Sequence, residues 1–221
     1  MTRTEISEEL KSVISGKTLD AVFPPLVFLL SNGLLGLIRA AVIATVFSLL
    51  LVAYRRYSIK SWKYAFSGFL GVIIAAGFAL IANNAANYYF PKIITSAGLV
   101  ALSLVSLGLK KPLAAWLSHL SRGWELDWFW RSDIRPAYSE VTLFWLALFA
   151  MRGILQFILL INNNLAGLFL INTLLGFPVT IAVLILSYVY GIWRLKQLGG
   201  PGIDEFRAHA PKPWRGQTRG F

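Results

Sequence analysis

"LFWLALFAMRGILQFILL", residues 143–160, carries one charge, Arg152, in an otherwise apolar run. A helix rising 1.5 Å per residue needs about 20 such residues to cross a bilayer core. The run is not isolated. Apolar stretches recur at 20–33, 34–53, 64–82, 91–109, 139–161 and 165–192. Charged residues make up 14% of the 221-residue chain, against about 25% in a soluble domain. They gather in a few segments and are nearly absent from the long runs. The pattern predicts an all-α, polytopic membrane bundle of six transmembrane helices with short interfacial amphipathic helices. The first stretch is short and contains Pro24-Pro25. The sixth is long and contains Pro178, so a tilt or kink is expected there.

Basic residues fall on alternate connections. Of the 21, eighteen lie before the first stretch, between the second and third, between the fourth and fifth, or after the sixth. The other connections hold only Lys92, while Arg39 and Arg152 lie inside apolar stretches. The positive-inside bias therefore predicts both termini in the cytoplasm of a cell that carries the protein in its cytoplasmic (bacterial inner) membrane. Six tryptophans, Trp116, Trp124, Trp128, Trp130, Trp193 and Trp214, are expected as anchors in the headgroup layer of that face. The opposite connections read "SNG" (31–33), "ANNAANYYFPK" (82–92) and "INNNLAG" (161–167), where asparagine suits tight turns and caps.

Three regions follow. Residues 1–19 form an amphipathic cytoplasmic segment, with Ile6, Leu10, Val13 and Ile14 on one face of a helix over 5–16. The start mixes both charge signs, and no secretory signal is evident. Residues 20–195 form the six-span membrane domain, including a cytoplasmic interfacial segment at 110–137. There Pro112 is placed to open a helix whose apolar face is Leu113, Trp116, Leu117 and Leu120, and Gly123 to end it. Residues 196–221, rich in glycine, proline and charge, are expected to be a disordered basic cytoplasmic tail.

The wording of several segments is also familiar. "FSGFLGVIIAA" (66–76), "FPKIITSAGLVALSLVSLGLKKPL" (90–113), "RPAYSEVTLFWLALFAMRGILQFILL" (135–160) and "LLGFPVTIAVLILSYVYGIWRL" (174–195) resemble the bacterial integral membrane proteins of domain-of-unknown-function family 3159. The likeness runs in register from about residue 18 to 195. It implies a multi-span architecture and supplies no activity. "FPPLVFLL" (23–30) bears a fainter likeness to the intracellular septation protein A family.

Arg152 sits 12 residues after Glu140 and 10 before Asn162, near mid-membrane at about 18 Å and 15 Å from the two ends. A charge at that depth is costly and marks either an internal tie or a site. Gln156 shares its helical face. Arg39, Arg152, Gln156 and Asn172 thus form a candidate intramembrane polar site. It is either a set of helix ties or, with the asparagine loops, a path for an anionic or polar solute. Ser67, Gly71, Ala75 and Ala79 place a small residue every fourth position, a candidate helix-packing seam. Phe-Pro pairs at 23–24, 90–91 and 177–178 hint at inverted halves.

Enzymatic signals are weak. The chain has no cysteine, and its two histidines, His119 and His209, lie far apart in polar segments. Glu125, Asp127 and Asp133 are expected in surface ion pairs more than around a cation. No nucleophile–histidine–acid set and no phosphate loop is evident. A net charge of +11 is read as a basic membrane face meeting anionic lipid, not nucleic acid. The expectation is a non-catalytic membrane-organising or partner-binding subunit, without metal or cofactor, with a protein partner or homo-oligomer possible. The alternative is a small transporter or channel using Arg39 and Arg152.

Overall fold

The structure is a computed structural model that describes residues 17–58, 62–218 and 220–221. The amphipathic helix expected over 5–16 lies outside the described residues. Among those residues the regular structure is helical throughout. The elements are α1 (Lys17–Leu35), α2 (Leu37–Ser58), α3 (Trp62–Ile81), a 3₁₀ turn (Ala85–Tyr89), α4 (Phe90–Gly108), α5 (Leu113–Arg122), α6 (Leu126–Trp130), α7 (Arg135–Ile161), α8 (Leu165–Leu174), α9 (Phe177–Leu198) and α10 (Ile203–Arg207).

Among the described residues, four segments are long and apolar enough to cross a membrane: Leu37–Tyr57, Ala85–Gly108, Arg135–Ile161 and Leu165–Leu198. The apolar parts of α1 and α3, Val22–Leu35 and Ala65–Ile81, are shorter. The six stretches read from the sequence are therefore all present as helices, but four of them reach spanning length on these terms. The sixth does more than kink. It breaks into α8 and α9 at Leu175-Gly176, just before Pro178, whose ring cannot continue the α8 ladder. A Cβ on Gly176 would lie 2.2 Å from the Asn172 carbonyl oxygen, so the break needs glycine there.

The chain divides into two compact units. The first comprises residues 1–94 and 155–177, the second residues 95–154 and 178–221. In the first, α1 packs on α2, α3 and α8, and α2 on α3. Its core is built largely of alanine: Ala40, Ala41, Ala44, Ala75, Ala76, Ala79 and Ala86, with Phe28 stacked on Tyr88 at 4.2 Å between ring centres. Small side chains let helix backbones approach where lipid offers no hydrophobic drive to associate. The proposed seam is only half used. Ala75 and Ala79 are buried, whereas Ser67 and Gly71 are exposed and nothing lies within 4 Å of a Cβ built on Gly71. The buried stripe of α3 runs through Val72, Ala75, Ala76 and Ala79, the i, i+3, i+4, i+7 spacing of one helix face, and not through every fourth residue.

The loops of this unit behave as tight turns. Asn83 and Asn163 take left-handed φ values of 47° and 51°, which asparagine tolerates. Asn84 Oδ1 accepts from the Ala86 N–H at 2.9 Å and Asn164 Oδ1 from the Gly167 N–H at 2.8 Å, while Asn84 Nδ2 donates to Asn163 Oδ1.

The second unit has another kind of core: Ala115, Trp128, Phe129, Ile134, Ala137, Tyr138, Leu195 and Ile203. It gathers at the start of α7 and the end of α9. With 27 residues α7 is about 40 Å long, more than the ~30 Å hydrocarbon thickness, so its first turns have length to spare for such a cluster.

Candidate functional site

The intramembrane polar residues divide between the units. In the first, Gln156 is fully buried, and its Nε2 donates to Asn172 Oδ1 at 2.8 Å. Asn172 Nδ2 in turn donates to the Leu168 carbonyl at 2.8 Å. The structure thus joins Gln156 and Asn172 as a helix tie between α7 and α8. Arg39, also in this unit, is exposed on α2. Arg152 belongs to the second unit and is half-buried.

The densest arrangement of functional groups lies in the second unit. Pro112 precedes α5, and Gly123, at φ 67°, closes it by donating its N–H to the His119 carbonyl at 2.7 Å, as expected of both residues. Trp116, Leu117 and Leu120, on the expected apolar face, are exposed, 77% in the case of Leu120. A greasy face turned outward suits a helix lying at a membrane surface. Residues 124–130 then fold inward. Trp128 is fully buried and donates its indole N–H to the Pro201 carbonyl at 2.9 Å. Phe129 meets Tyr138 edge to face at 4.9 Å.

The C-terminal segment, expected to be disordered, completes this cluster. Glu205 accepts N–H bonds from Arg215 (2.7 Å), Gly202 (2.8 Å) and Gly216 (3.0 Å), and these hold its carboxyl below the usual range. Buried Gln217 accepts from the Ile203 N–H at 2.9 Å. Phe221 lies flat on Tyr138, 4.2 Å between ring centres and 6° between planes, and its carbonyl accepts from Arg122 Nε at 3.1 Å. A Cβ on Gly191 would meet the Phe221 ring at 2.2 Å, so glycine makes the seat for it. Composition signals disorder, but Pro201 of this segment is met by Trp128, 73 positions earlier in the chain, and Phe221 by Tyr138, further back still, and composition is blind to such partners.

The tryptophans need the same correction. Trp128 is core, not anchor. Trp124 and Trp130 are half-buried beside it. Half-buried Trp214 donates to the Ala210 carbonyl at 2.9 Å and lies under Lys212 (4.7 Å) and Arg131 (5.2 Å). Trp116 and Trp193 remain exposed, as an anchor requires. Two of the three acids expected in surface ion pairs form them: Asp133 with Arg131 at 2.8 Å and Glu125 with Arg207 at 3.2 Å. A further pair had no sequence signal. Arg194 grips Glu140 with Nε at 2.8 Å and Nη2 at 2.9 Å, and Tyr190 donates to the same carboxylate at 2.7 Å. The partners are 50 and 54 residues apart, and only the α7–α9 packing brings them together.

What the cluster presents outward is basic and aromatic. Lys110, Lys111, Arg122, Arg207, Lys212 and Arg215 are exposed around it, against Glu125, Asp127 and Asp204. Such a surface attracts anionic groups.

No curated protein and no solved structure matches the chain, and the likeness of residues 23–30 to septation proteins gains no match. The segments that looked familiar do find one: residues 15–196 match the family described as protein of unknown function (DUF3159), and the chain, with its apolar helices of spanning length, belongs to that family.

Proposed function

We propose that this protein is a non-catalytic, multi-pass subunit of a cytoplasmic membrane, and that its aromatic and basic cluster is a docking platform for an acidic partner protein. In this reading α1 and α3 also cross, making six spans, and both termini face the cytoplasm, as the partition of eighteen basic residues favours. The observation that carries the proposal is the ordered C-terminal segment: a stretch with this composition is held in place by Glu205, Gln217 and Phe221, and it keeps Lys212 and Arg215 exposed on a rigid support. A preorganised surface binds with less ordering cost than a free tail.

The transport alternative would need Arg39 and Arg152 to act on one solute. The Gln156–Asn172 tie satisfies two of its four residues with each other and favours the structural role for them.

The test uses the full chain, gently extracted and weighed with its bound partners by native mass spectrometry. Replacing Lys212 and Arg215 with Glu should remove a stoichiometric partner. So should Gly191→Val, which unseats Phe221 and leaves every surface charge in place. Unchanged recovery in both variants refutes the platform. Solute flux in liposomes that Arg152→Gln abolishes would put the transporter in its stead.

A further inference from the structure

Beside the platform, α5, α7 and α9 of the second unit enclose a cleft of about 280 Å³ that Phe221 closes on one side. One part of its lining is polar: Ser118, Ser121 and Arg122 from α5, Ser187 and Tyr188 from α9. The other part is apolar, with Trp145, Leu184 and the Phe221 ring.

Ser187 is the telling residue. It is 6% exposed, and among the described residues its Oγ has no hydrogen-bond partner. Hydroxyls on apolar helices normally bond back to the carbonyl one turn earlier. Elsewhere in this chain they do so: Thr45 to Ala41 at 2.7 Å, Ser103 to Leu99 at 2.7 Å and Thr142 to Tyr138 at 2.8 Å. Ser187 departs from that habit at the wall of a cleft, and a buried donor left unused there calls for an acceptor.

Arg122 supplies the charge. Its Nε is fixed on the Phe221 carbonyl and its guanidinium lies over the Trp124 ring at 5.1 Å. Among the described residues that is its one hydrogen bond, so most of its five donors stay available on an oriented side chain. Planar donors held this way suit a phosphate.

The surroundings are greasy. Leu117 and Leu184 are each 59% exposed at the cleft. A ligand there meets hydroxyls and a guanidinium together with aliphatic and aromatic surface. We infer that the cleft binds an anionic phospholipid with a hydroxylated headgroup: the phosphate on Arg122, headgroup oxygens on Ser187 and its neighbouring serines, and the first methylenes against Leu184, Trp145 and Phe221. Its volume lies just under the ~300 Å³ at which small-molecule pockets begin, enough for a headgroup and glycerol while the chains leave into the bilayer. The inference needs the membrane reading but not the protein partner.

The experiment places the full chain in phosphatidylcholine nanodiscs with or without a minority of phosphatidylglycerol, then counts lipids retained on release by native mass spectrometry. One phosphatidylglycerol should stay on each chain, with phosphatidylcholine lost. Arg122→Gln should cut that retention about tenfold, the equivalent of one charge-assisted hydrogen bond. Ser187→Val should reduce it several-fold while near-ultraviolet circular dichroism and partner recovery stay as in the unaltered protein. Because Ser187→Val leaves Phe221 and the surface charges alone, its result is separate from the fate of the platform. Equal retention of both lipids, or a Ser187→Val protein that holds phosphatidylglycerol undiminished, overturns the site. Displacement of the lipid by inorganic phosphate would overturn the lipid in favour of a free phosphate.

Discussion

The two units solve one problem with opposite materials. The first buries mostly alanines around Phe28, Tyr88 and Tyr89, and its polar ties are made by neutral amide side chains: asparagine caps, a side-chain bond across two loops, and the Gln156–Asn172 pair. The second buries Trp128, Phe129 and Tyr138 and joins distant parts of the chain with an indole N–H, the bidentate Arg194–Glu140 pair and the stacked Phe221 ring. The solvent explains the contrast. Between helices in lipid, burial of apolar surface contributes little, and close backbone approach through small residues does the work. Wherever helices outrun a bilayer, water restores the hydrophobic effect, and large aromatics then contribute most.

The contrast is most exposed to failure at Trp128. Trp128→Ala removes a fully buried ring and the hydrogen bond to Pro201, a change that costs about 3–5 kcal/mol in comparable cores. Thermal or denaturant unfolding followed by near-ultraviolet circular dichroism should show that loss. The C-terminal segment should become sensitive to protease at the same time. If the aromatic signal and the protease pattern are unchanged, the second unit does not depend on its aromatic core.

A middle-sized effect separates the two kinds of packing within one helix. Ala79 is fully buried in α3, so Ala79→Leu overpacks the alanine core and should cost about 1–3 kcal/mol. Gly71, eight residues earlier, has open space where a Cβ would go, and Gly71→Ala should stabilise by about 0.5–1 kcal/mol through helix propensity alone. Unfolding of the two variants in one detergent gives the comparison. Equal losses from both would restore the every-fourth-residue seam.

These residues also show what was legible in the sequence. Apolar length and charge partition marked every major helix, because bilayer thickness and charge cost act on composition over some twenty residues. Asn83, Asn163, Pro112 and Gly123 were legible as turns and caps because their chemistry is local. The buried face of α3 departs from the every-fourth-residue spacing because steps of four overshoot a 3.6-residue turn and drift off one helix face. The Glu140–Arg194 pair, the buried state of Trp128 and the docking of Phe221 were hidden for one reason: each depends on residues far apart in the chain, and nothing in either neighbourhood encodes the distant partner. Tryptophan in particular reads the same to the eye whether it anchors in headgroups or fills a core.

The smallest expected effect concerns the C-terminal segment by itself. Glu205 gathers three backbone N–H groups as a carboxylate, and its folded-state pKa lies below the ~4.3 of a free glutamate. A lowered carboxyl pKa means that its contribution is complete above the unfolded value and fades as pH falls through the folded one. Lowering the pH from neutrality should therefore leave the amides of Gly202 and Gly216 protected until below about 4.3, after which their exchange should rise before the helices of the first unit respond. Glu205→Gln should give that faster exchange at neutral pH and flatten the acid dependence, since its single amide oxygen can accept at only one of the two carboxylate-oxygen positions and carries no charge. Exchange near Gly202 that rises at the same pH in both proteins would move the acid response to another group, and the segment would then be held by Phe221 and Gln217 without the carboxylate.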